Sequence, residues 1–133
     1  KKMVAYSSIS HMGFVLLGIG SLNAEGMNGA IFQMFSHGVL SAMLFVIVGI
    51  LYDRTHSRKI EDFKGLLGAV PVYGSFVSIA FFASLGLPLF SGFIGELFSV
   101  MGGFQSGVLP TWMPILATLG IVLGAGYFLW TLQ

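Results

Sequence analysis

The sequence predicts an all-α fold: a polytopic bundle of transmembrane helices with four spans, the third of them discontinuous. Hydrophobic residues make up 56% of its 133 residues and charged residues only 8%, whereas soluble domains carry about 25% charged residues. Nineteen glycines suit the same class, because glycine is tolerated in membrane helices and lets them pack closely. Since there is no cysteine, disulfides and thiolate-bound iron–sulfur clusters are excluded from this sequence.

The first two predicted spans are uninterrupted apolar segments. Residues 3–20 would form a helix about 27 Å long at 1.5 Å per residue, which just crosses the hydrocarbon core of a bilayer. Residues 27–51 are longer and are expected to cross with a tilt. Because the sequence opens without an initiating methionine and stops directly after an apolar run, we expect residues 1–133 to be one transmembrane segment inside a longer protein.

The third predicted span, residues 70–104, is too long for one straight helix and contains helix breakers. The residues predicted to interrupt it near 86–92 are Gly86, Pro88, Ser91 and Gly92. Proline removes a backbone donor and clashes with the preceding turn. The freed backbone groups cannot face lipid, so the break must be buried in protein or contact water. Transporters place ions and protons at such breaks.

The fourth predicted span comprises residues 112–132. Positive charges predict the orientation of all four spans. All six lysines and arginines precede the first span or lie between the second and the third: Lys1, Lys2, Arg54, Arg58, Lys59 and Lys64. Two crossings return the chain to its starting side, so these residues share one face, which the positive-inside rule makes cytoplasmic. The aromatic residues of the fourth span that we expect at the membrane interface are Trp112, Tyr127 and Trp130.

Glu96 is the one charged residue inside a predicted span. A lone acid at membrane depth costs a few kcal/mol and usually faces a bundle interior or a water-filled cavity. It follows the predicted break by about one helical turn, with Gly92 and Ser99 on the same helical face. Two interpretations follow: Glu96 exchanges protons with water admitted at the break, or it makes a buried structural hydrogen bond.

Two histidines, His11 and His37, also lie inside predicted spans, each directly after a serine. The polar residues predicted to support them and to hold water are Ser7, Gln33, Ser36 and Ser41. Ser7, Gln33 and Ser41 each lie four residues from a histidine, so that they form polar stripes along the two helices. Since histidine titrates near physiological pH, such stripes can relay protons; alternatively, they only hydrogen-bond the helices together. The two histidines differ in predicted depth by about 9 Å, which fits a shared haem poorly, and no metal site is predicted.

The sequence resembles the antiporter-like, proton-translocating subunits of respiratory complex I known as chain M, or subunit 4 of NADH dehydrogenase. The similar stretches occur in the family's order and spacing: "KKMVAYSSISHMGFVLLGIG", "IFQMFSHGVLSAMLFVIVGILYDRTHSR" and "ASLGLPLFSGFIGELF". The resemblance implies that Glu96 is the key ionisable residue of a discontinuous helix and that His11 and His37 lie on the proton route. Related antiporter subunits usually carry lysine at this position, so the glutamate favours chain M.

The resemblance also implies a function, which is part of a membrane subunit that relays protons for NADH:quinone oxidoreductase. No cofactor is expected in this chain, whereas NADH, FMN, iron–sulfur clusters and quinone are expected in partner subunits. The expected partners are other complex I membrane subunits, the lipid bilayer and protons, and not nucleic acid. The expected location is the bacterial inner membrane, with the lysine and arginine loops cytoplasmic.

Three alternatives remain open from the sequence. The segment can belong to a multi-subunit cation/proton antiporter, to a membrane-bound hydrogenase, or to a scaffold whose polar stripes only fix helix packing. The family's first half-channel lies upstream of the matching motifs, so four helices alone are not expected to pump.

Overall fold

The structure is a computed structural model that describes residues 2–56 and 70–132. These residues form five α-helices: α1 (Lys2–Gly20), α2 (Ala24–Thr55), α3 (Pro71–Ser84), α4 (Ser91–Gln105) and α5 (Trp112–Leu132). Residues 2–56 and 70–132 contain no β-strand, and the predicted all-α membrane bundle is confirmed. Four of the residues behind the predicted orientation lie outside the described residues: Lys1, Arg58, Lys59 and Lys64.

Three helices, α1, α2 and α5, are each long and apolar enough to cross a membrane. The α2 helix has 32 residues, about 48 Å at 1.5 Å per residue, and extends beyond the predicted span at both ends. Its first turn is capped by the Asn23 side chain, which accepts a hydrogen bond from the Gly26 N–H at 2.8 Å. It ends where His56 adopts a left-handed conformation with φ 52°. Hydropathy indicates the part of a helix inside the bilayer, whereas capping determines where the helix ends.

The third predicted span is indeed discontinuous. The α3 and α4 helices have 14 and 15 residues, about 21 and 23 Å, so neither alone crosses a hydrocarbon core of about 30 Å. Residues 85–90 separate them. In this break Gly86 has a φ of 68° and Leu89 a φ of 98°, a region that residues with a side chain rarely adopt. The six residues of the break therefore interrupt the helical hydrogen bonding between α3 and α4.

The prediction that Ser91 and Gly92 belong to the break is wrong, because they are the first two residues of α4. Phe90 is extended, with φ −104° and ψ 152°, and serves as the N-cap residue. The helix restarts directly after it. A Cβ on Gly92 would lie 3.3 Å from the Ala83 carbonyl oxygen of α3, so the glycine allows the two half-helices to approach each other across the break.

The α2 and α4 helices approach backbone to backbone. A Cβ on Gly29 would lie 2.5 Å from the Ser99 backbone nitrogen, and a Cβ on Gly102 would lie 2.4 Å from Gly26 Cα. Small residues permit such contacts between membrane helices. A separate hydrophobic cluster joins α1, α2, α3 and α5: Val4, Leu44, Ile47, Ala80, Phe81, Leu85 and Phe128. Together these contacts hold the polar residues of α1 and α2 against the beginning of α4.

Candidate functional site

The centre of the site is a contact between Glu96 and His11. Glu96 is the sixth residue of α4 and is only 4% exposed, and its Oε1 lies 3.2 Å from His11 Nδ1 on α1. Side chains on a helix point back toward its N-terminus, which directs this carboxylate toward the break. A Cβ on Gly86 would indeed lie 2.6 Å from Glu96 Oε2. A buried carboxyl group therefore lies between an imidazole and the broken backbone.

His37 continues this polar cluster away from Glu96. The His11 and His37 rings are 5.2 Å apart between centroids, with 41° between their planes. His37 Nε2 lies 3.1 Å from the hydroxyl of Ser8 on α1 and 3.0 Å from the hydroxyl of Ser41 on α2. The structure thus brings Glu96, His11 and His37, predicted on three separate segments, into one continuous cluster.

The predicted supporting residues have different roles. Gln33 Nε2 is 3.5 Å from His11 Nδ1, so Gln33 joins the cluster directly. The Ser36 and Ser91 hydroxyls are 2.7 Å apart and connect α2 to the first residue of α4. By contrast, the Ser7 hydroxyl donates to the Val4 carbonyl at 2.8 Å. Ser7 is buried, but none of its described hydrogen bonds is to either histidine.

A small cavity lies beside the Glu96–His11 pair. Its volume is about 10 Å³, and its lining includes Ser10, Ser84 and Tyr127 together with His11, Glu96 and apolar residues such as Phe14 and Phe128. This volume suits about one water molecule. His11 Nε2 is buried and has no hydrogen-bond partner among the described residues. The described hydrogen bonds of His11 therefore all involve Nδ1.

Tyr127 of α5 also contributes to the site. It is half-buried, lines the cavity beside Glu96 and packs against Phe128 with 4.6 Å between the ring centroids; its position at the membrane interface stays a prediction. The other two aromatic residues predicted at the interface, Trp112 and Trp130, are exposed. A signal was present in the sequence, because Gly120 and Gly124 precede Tyr127 at helical spacing and form a small-residue face that can turn inward.

Three serines of the site, Ser8, Ser10 and Ser84, were not among the predicted site residues; Ser10 lines the cavity next to His11. Ser8 lies one turn before His11 on α1 and contacts His37 on α2, whereas Ser84 is the last residue of α3 and lines the cavity. The pattern of single helices does not reveal such cross-helix contacts. Within residues 2–56 and 70–132, no group of three or more His, Cys, Asp or Glu side chains could hold a metal ion.

Long apolar helices, a broken helix and a buried carboxyl–imidazole pair define a polytopic membrane protein with ionisable groups inside its bundle. Residues 1–124 match the family described as "NADH:quinone oxidoreductase/Mrp antiporter, TM". The chain belongs to this family.

Individual relatives agree with the family match. The chain is similar to NADH-quinone oxidoreductase subunit M of Rickettsia felis, with 51% identity over 129 residues that cover 97% of this chain and 26% of the relative. It is 46% identical to subunit M of Rhodobacter capsulatus, over 98% of this chain and 25% of the relative. NADH-ubiquinone oxidoreductase chain 4 of Chondrus crispus is 45% identical, over 98% of this chain and 26% of the relative.

A solved structure shares the fold as well. A chain of respiratory complex I from Thermus thermophilus with bound NADH matches with a TM-score of 0.92 and 35% identity, covering 98% of this chain and 27% of that chain. The resemblance inferred from the three sequence stretches is therefore confirmed. The chain spans about a quarter of the length of the curated relatives it matches.

Proposed function

We propose that this chain is part of the proton-translocating membrane subunit of an NADH:quinone oxidoreductase, in which Glu96 and His11 exchange a proton at the broken helix. The observation that carries the proposal is the 3.2 Å contact between Glu96 Oε1 and His11 Nδ1. Ionisable groups inside membrane bundles usually belong to ion or proton pathways. The position of the carboxyl group against a helix break supports the same function.

The proposed step has two balanced states. In one, His11 carries a proton on Nδ1 and donates it to the ionised Glu96; in the other, that proton is on Glu96 and His11 is neutral. His37 extends the route beyond His11, because the two rings are 5.2 Å apart and histidine changes its charge near physiological pH. The small cavity beside the pair provides room for a water molecule as a further proton carrier.

The energy for translocation must come from outside this segment. Moving one proton against 100 mV requires about 2.3 kcal/mol, and a carboxyl–imidazole pair only transfers a proton that is already present. We therefore propose that other complex I membrane subunits are partners and that NADH, FMN, iron–sulfur clusters and quinone act in partner subunits. Protons and the lipid bilayer are the remaining proposed partners, and no contact with nucleic acid is proposed.

The proposed location is the bacterial inner membrane, with the positively charged end of the bundle cytoplasmic. Lys2 begins α1 and Arg54 lies in the last turn of α2, and these consecutive helices are joined by a short turn, so both residues belong to one end of the bundle. The positive-inside rule assigns that end to the cytoplasm. Bacterial relatives from Rickettsia and Rhodobacter support the choice of membrane.

The test is Glu96→Gln in the full parent complex, measured in sealed vesicles. We expect NADH-driven proton pumping and quinone-linked turnover to fall by about 100-fold, as for loss of a positioned acid–base group. NADH oxidation by an artificial acceptor should stay at the wild-type level and serves to match the amount of assembled complex. The control is Glu25→Gln, which removes the acid in the first turn of α2. Unchanged pumping by an assembled Glu96→Gln complex would contradict the proposed relay.

A cation/proton antiporter subunit is a second candidate, because the matching family description includes Mrp antiporters. The two functions differ in their source of energy. If the parent assembly instead belongs to an antiporter, vesicles without NADH should exchange protons for a sodium gradient, and Glu96→Gln should abolish that exchange. A purely structural scaffold predicts loss of assembly in the same variant.

A further inference from the structure

Gln33 and Glu96 contact the same atom of the site, His11 Nδ1. Gln33 is 2% exposed on α2, and its amide nitrogen Nε2 lies 3.5 Å from His11 Nδ1. Glu96 Oε1 lies 3.2 Å from the same ring nitrogen. An ionised carboxylate only accepts hydrogen bonds, whereas an amide nitrogen only donates them. One imidazole nitrogen therefore has an acceptor and a donor as its two neighbours.

The two contacts cannot be hydrogen bonds at the same time. When Nδ1 carries a proton, it donates to the carboxylate and has no lone pair for the amide. When Nδ1 has lost that proton, its lone pair can accept a hydrogen bond from the amide N–H. Each neighbour thus suits one protonation state of His11.

Gln33 is held in place by the backbone that carries Glu96. A Cβ on Gly95, the residue before Glu96, would lie 2.3 Å from Gln33 Oε1 and 2.9 Å from Gln33 Cα. Despite this close packing, Oε1 has no hydrogen-bond partner among the described residues. Buried polar groups are usually hydrogen-bonded, and the described polar contact of this amide is the one between its nitrogen and His11.

We propose that Gln33 is a positioning residue that selects the protonation state of His11. In the proposed step the Nδ1 proton passes to Glu96 Oε1, and the Gln33 N–H then takes the place of the new Glu96 hydroxyl as the hydrogen-bond donor to Nδ1. The amide thereby stabilises neutral His11 and favours the state in which the proton is on Glu96. This role rests on the proposed proton exchange and adds to it the residue that stabilises the state after the transfer.

Among the described residues, titratable groups of three other helices face His11. Glu96 faces it from α4, His37 from α2, and Tyr127 from α5 across the small cavity. Glutamate has the shape of glutamine, so Gln33→Glu keeps the packing of the side chain and replaces the amide donor next to Nδ1 with a carboxyl group. The exposed Gln105 at the end of α4 offers the same replacements away from the cluster.

The experiment measures coupled NADH:quinone turnover and proton pumping against pH in the full parent complex, for Gln33→Glu and Gln33→Met. Gln33→Glu places an acceptor beside Nδ1, which favours the protonated ring, so the pH of half-maximal activity on the alkaline side should rise by about 1 to 3 units. Gln33→Met removes the donor at similar side-chain length and should raise the pH of half-maximal activity by less. Gln105→Glu and Gln105→Met should keep the wild-type profile. Activity with an artificial acceptor again matches the amount of complex.

Unchanged pH profiles in the Gln33 variants would overturn the proposal, and so would a uniform loss of turnover with the alkaline limb unmoved, which indicates packing alone. If Gln33→Met fails to assemble, the isosteric Gln33→Glu decides the question. Failure of the proposed relay is distinguishable from failure of the role of Gln33. Full pumping by Glu96→Gln rejects the relay itself, whereas an inactive Glu96→Gln with unshifted Gln33 profiles rejects only the role of Gln33.

Discussion

Gly86 is the residue at which the broken helix meets the carboxyl group of Glu96, and we predict that Gly86→Ala disrupts the site without removing an ionisable group. Gly86 has a φ of 68°, a left-handed conformation that costs a residue with a Cβ about 1–2 kcal/mol. The added Cβ would lie 2.6 Å from Glu96 Oε2 and 3.2 Å from its Cδ. Alanine therefore strains the backbone and collides with the carboxyl group.

The size of the displacement follows from these distances. Ordinary contact begins at 3.4 Å, so Oε2 must move away from the 2.6 Å position by about 0.8 Å, which is 3.4 minus 2.6. Because both oxygens belong to one carboxyl group, this shift changes the 3.2 Å contact of Oε1 with His11 by up to a comparable amount. Since a misplacement of about 1 Å can cost about 100-fold in rate, we expect a loss of that order in coupled turnover.

The assay is NADH-driven pumping by the full parent complex, with assembly matched through the artificial acceptor. Gly126→Ala is the control, because a Cβ on Gly126 would meet no described atom within 4 Å, and it should pump normally. Gly86→Asn separates the two causes, since asparagine adopts the left-handed conformation more readily but carries the same Cβ. Normal pumping by Gly86→Ala would refute the reasoning, and rescue by Gly86→Asn would show that only the backbone conformation matters.

Two further predictions concern the contact between α2 and α4. Gly29→Ala should lower the midpoint of thermal inactivation of the parent complex, because its Cβ would lie 2.5 Å from the Ser99 backbone nitrogen and such overpacking costs about 1–3 kcal/mol. The control Gly38→Ala has no described neighbour within 4 Å of its Cβ and should keep the wild-type midpoint. Equal midpoints for the two variants would count against the close approach. Ser36→Ala and Ser91→Ala should each lower the stability of the complex by about 0.6 kcal/mol, again followed by the midpoint of thermal inactivation. The double variant should be no less stable than either single variant. Additive losses would mean that the 2.7 Å contact is not a hydrogen bond between these two serines.

Several properties of the protein follow from the sequence alone. The membrane class follows because apolar composition has a direct physical consequence for solvation. Similarly, the position of the break follows from local chemistry: Pro88 cannot donate a backbone hydrogen bond, and Gly86 is the residue that adopts a positive φ at low cost. Glu96 was identified because a charge within a hydrocarbon layer is expensive wherever the helix places it.

Helix bounds were less accurate where hydropathy and hydrogen bonding disagree. The α2 helix continues past the apolar residues that predicted its span, since the Asn23 cap and the left-handed His56 set its ends. Likewise α4 begins at Ser91 inside the predicted break, because the backbone becomes helical again directly after the extended Phe90. Capping geometry acts over a few residues and is only partly visible in composition.

Only the tertiary structure decided which polar groups meet. His11 and Glu96 are 85 residues apart in sequence, and their contact depends on how far each helix is rotated about its axis. That rotation is set by packing between helices, including the backbone approach at Gly29, and not by the pattern of any single helix. The sequence by itself determined a membrane bundle with a broken helix and an intramembrane acid; packing decided that this acid faces His11, that Gln33 contacts the same nitrogen, and that Tyr127 lies beside them.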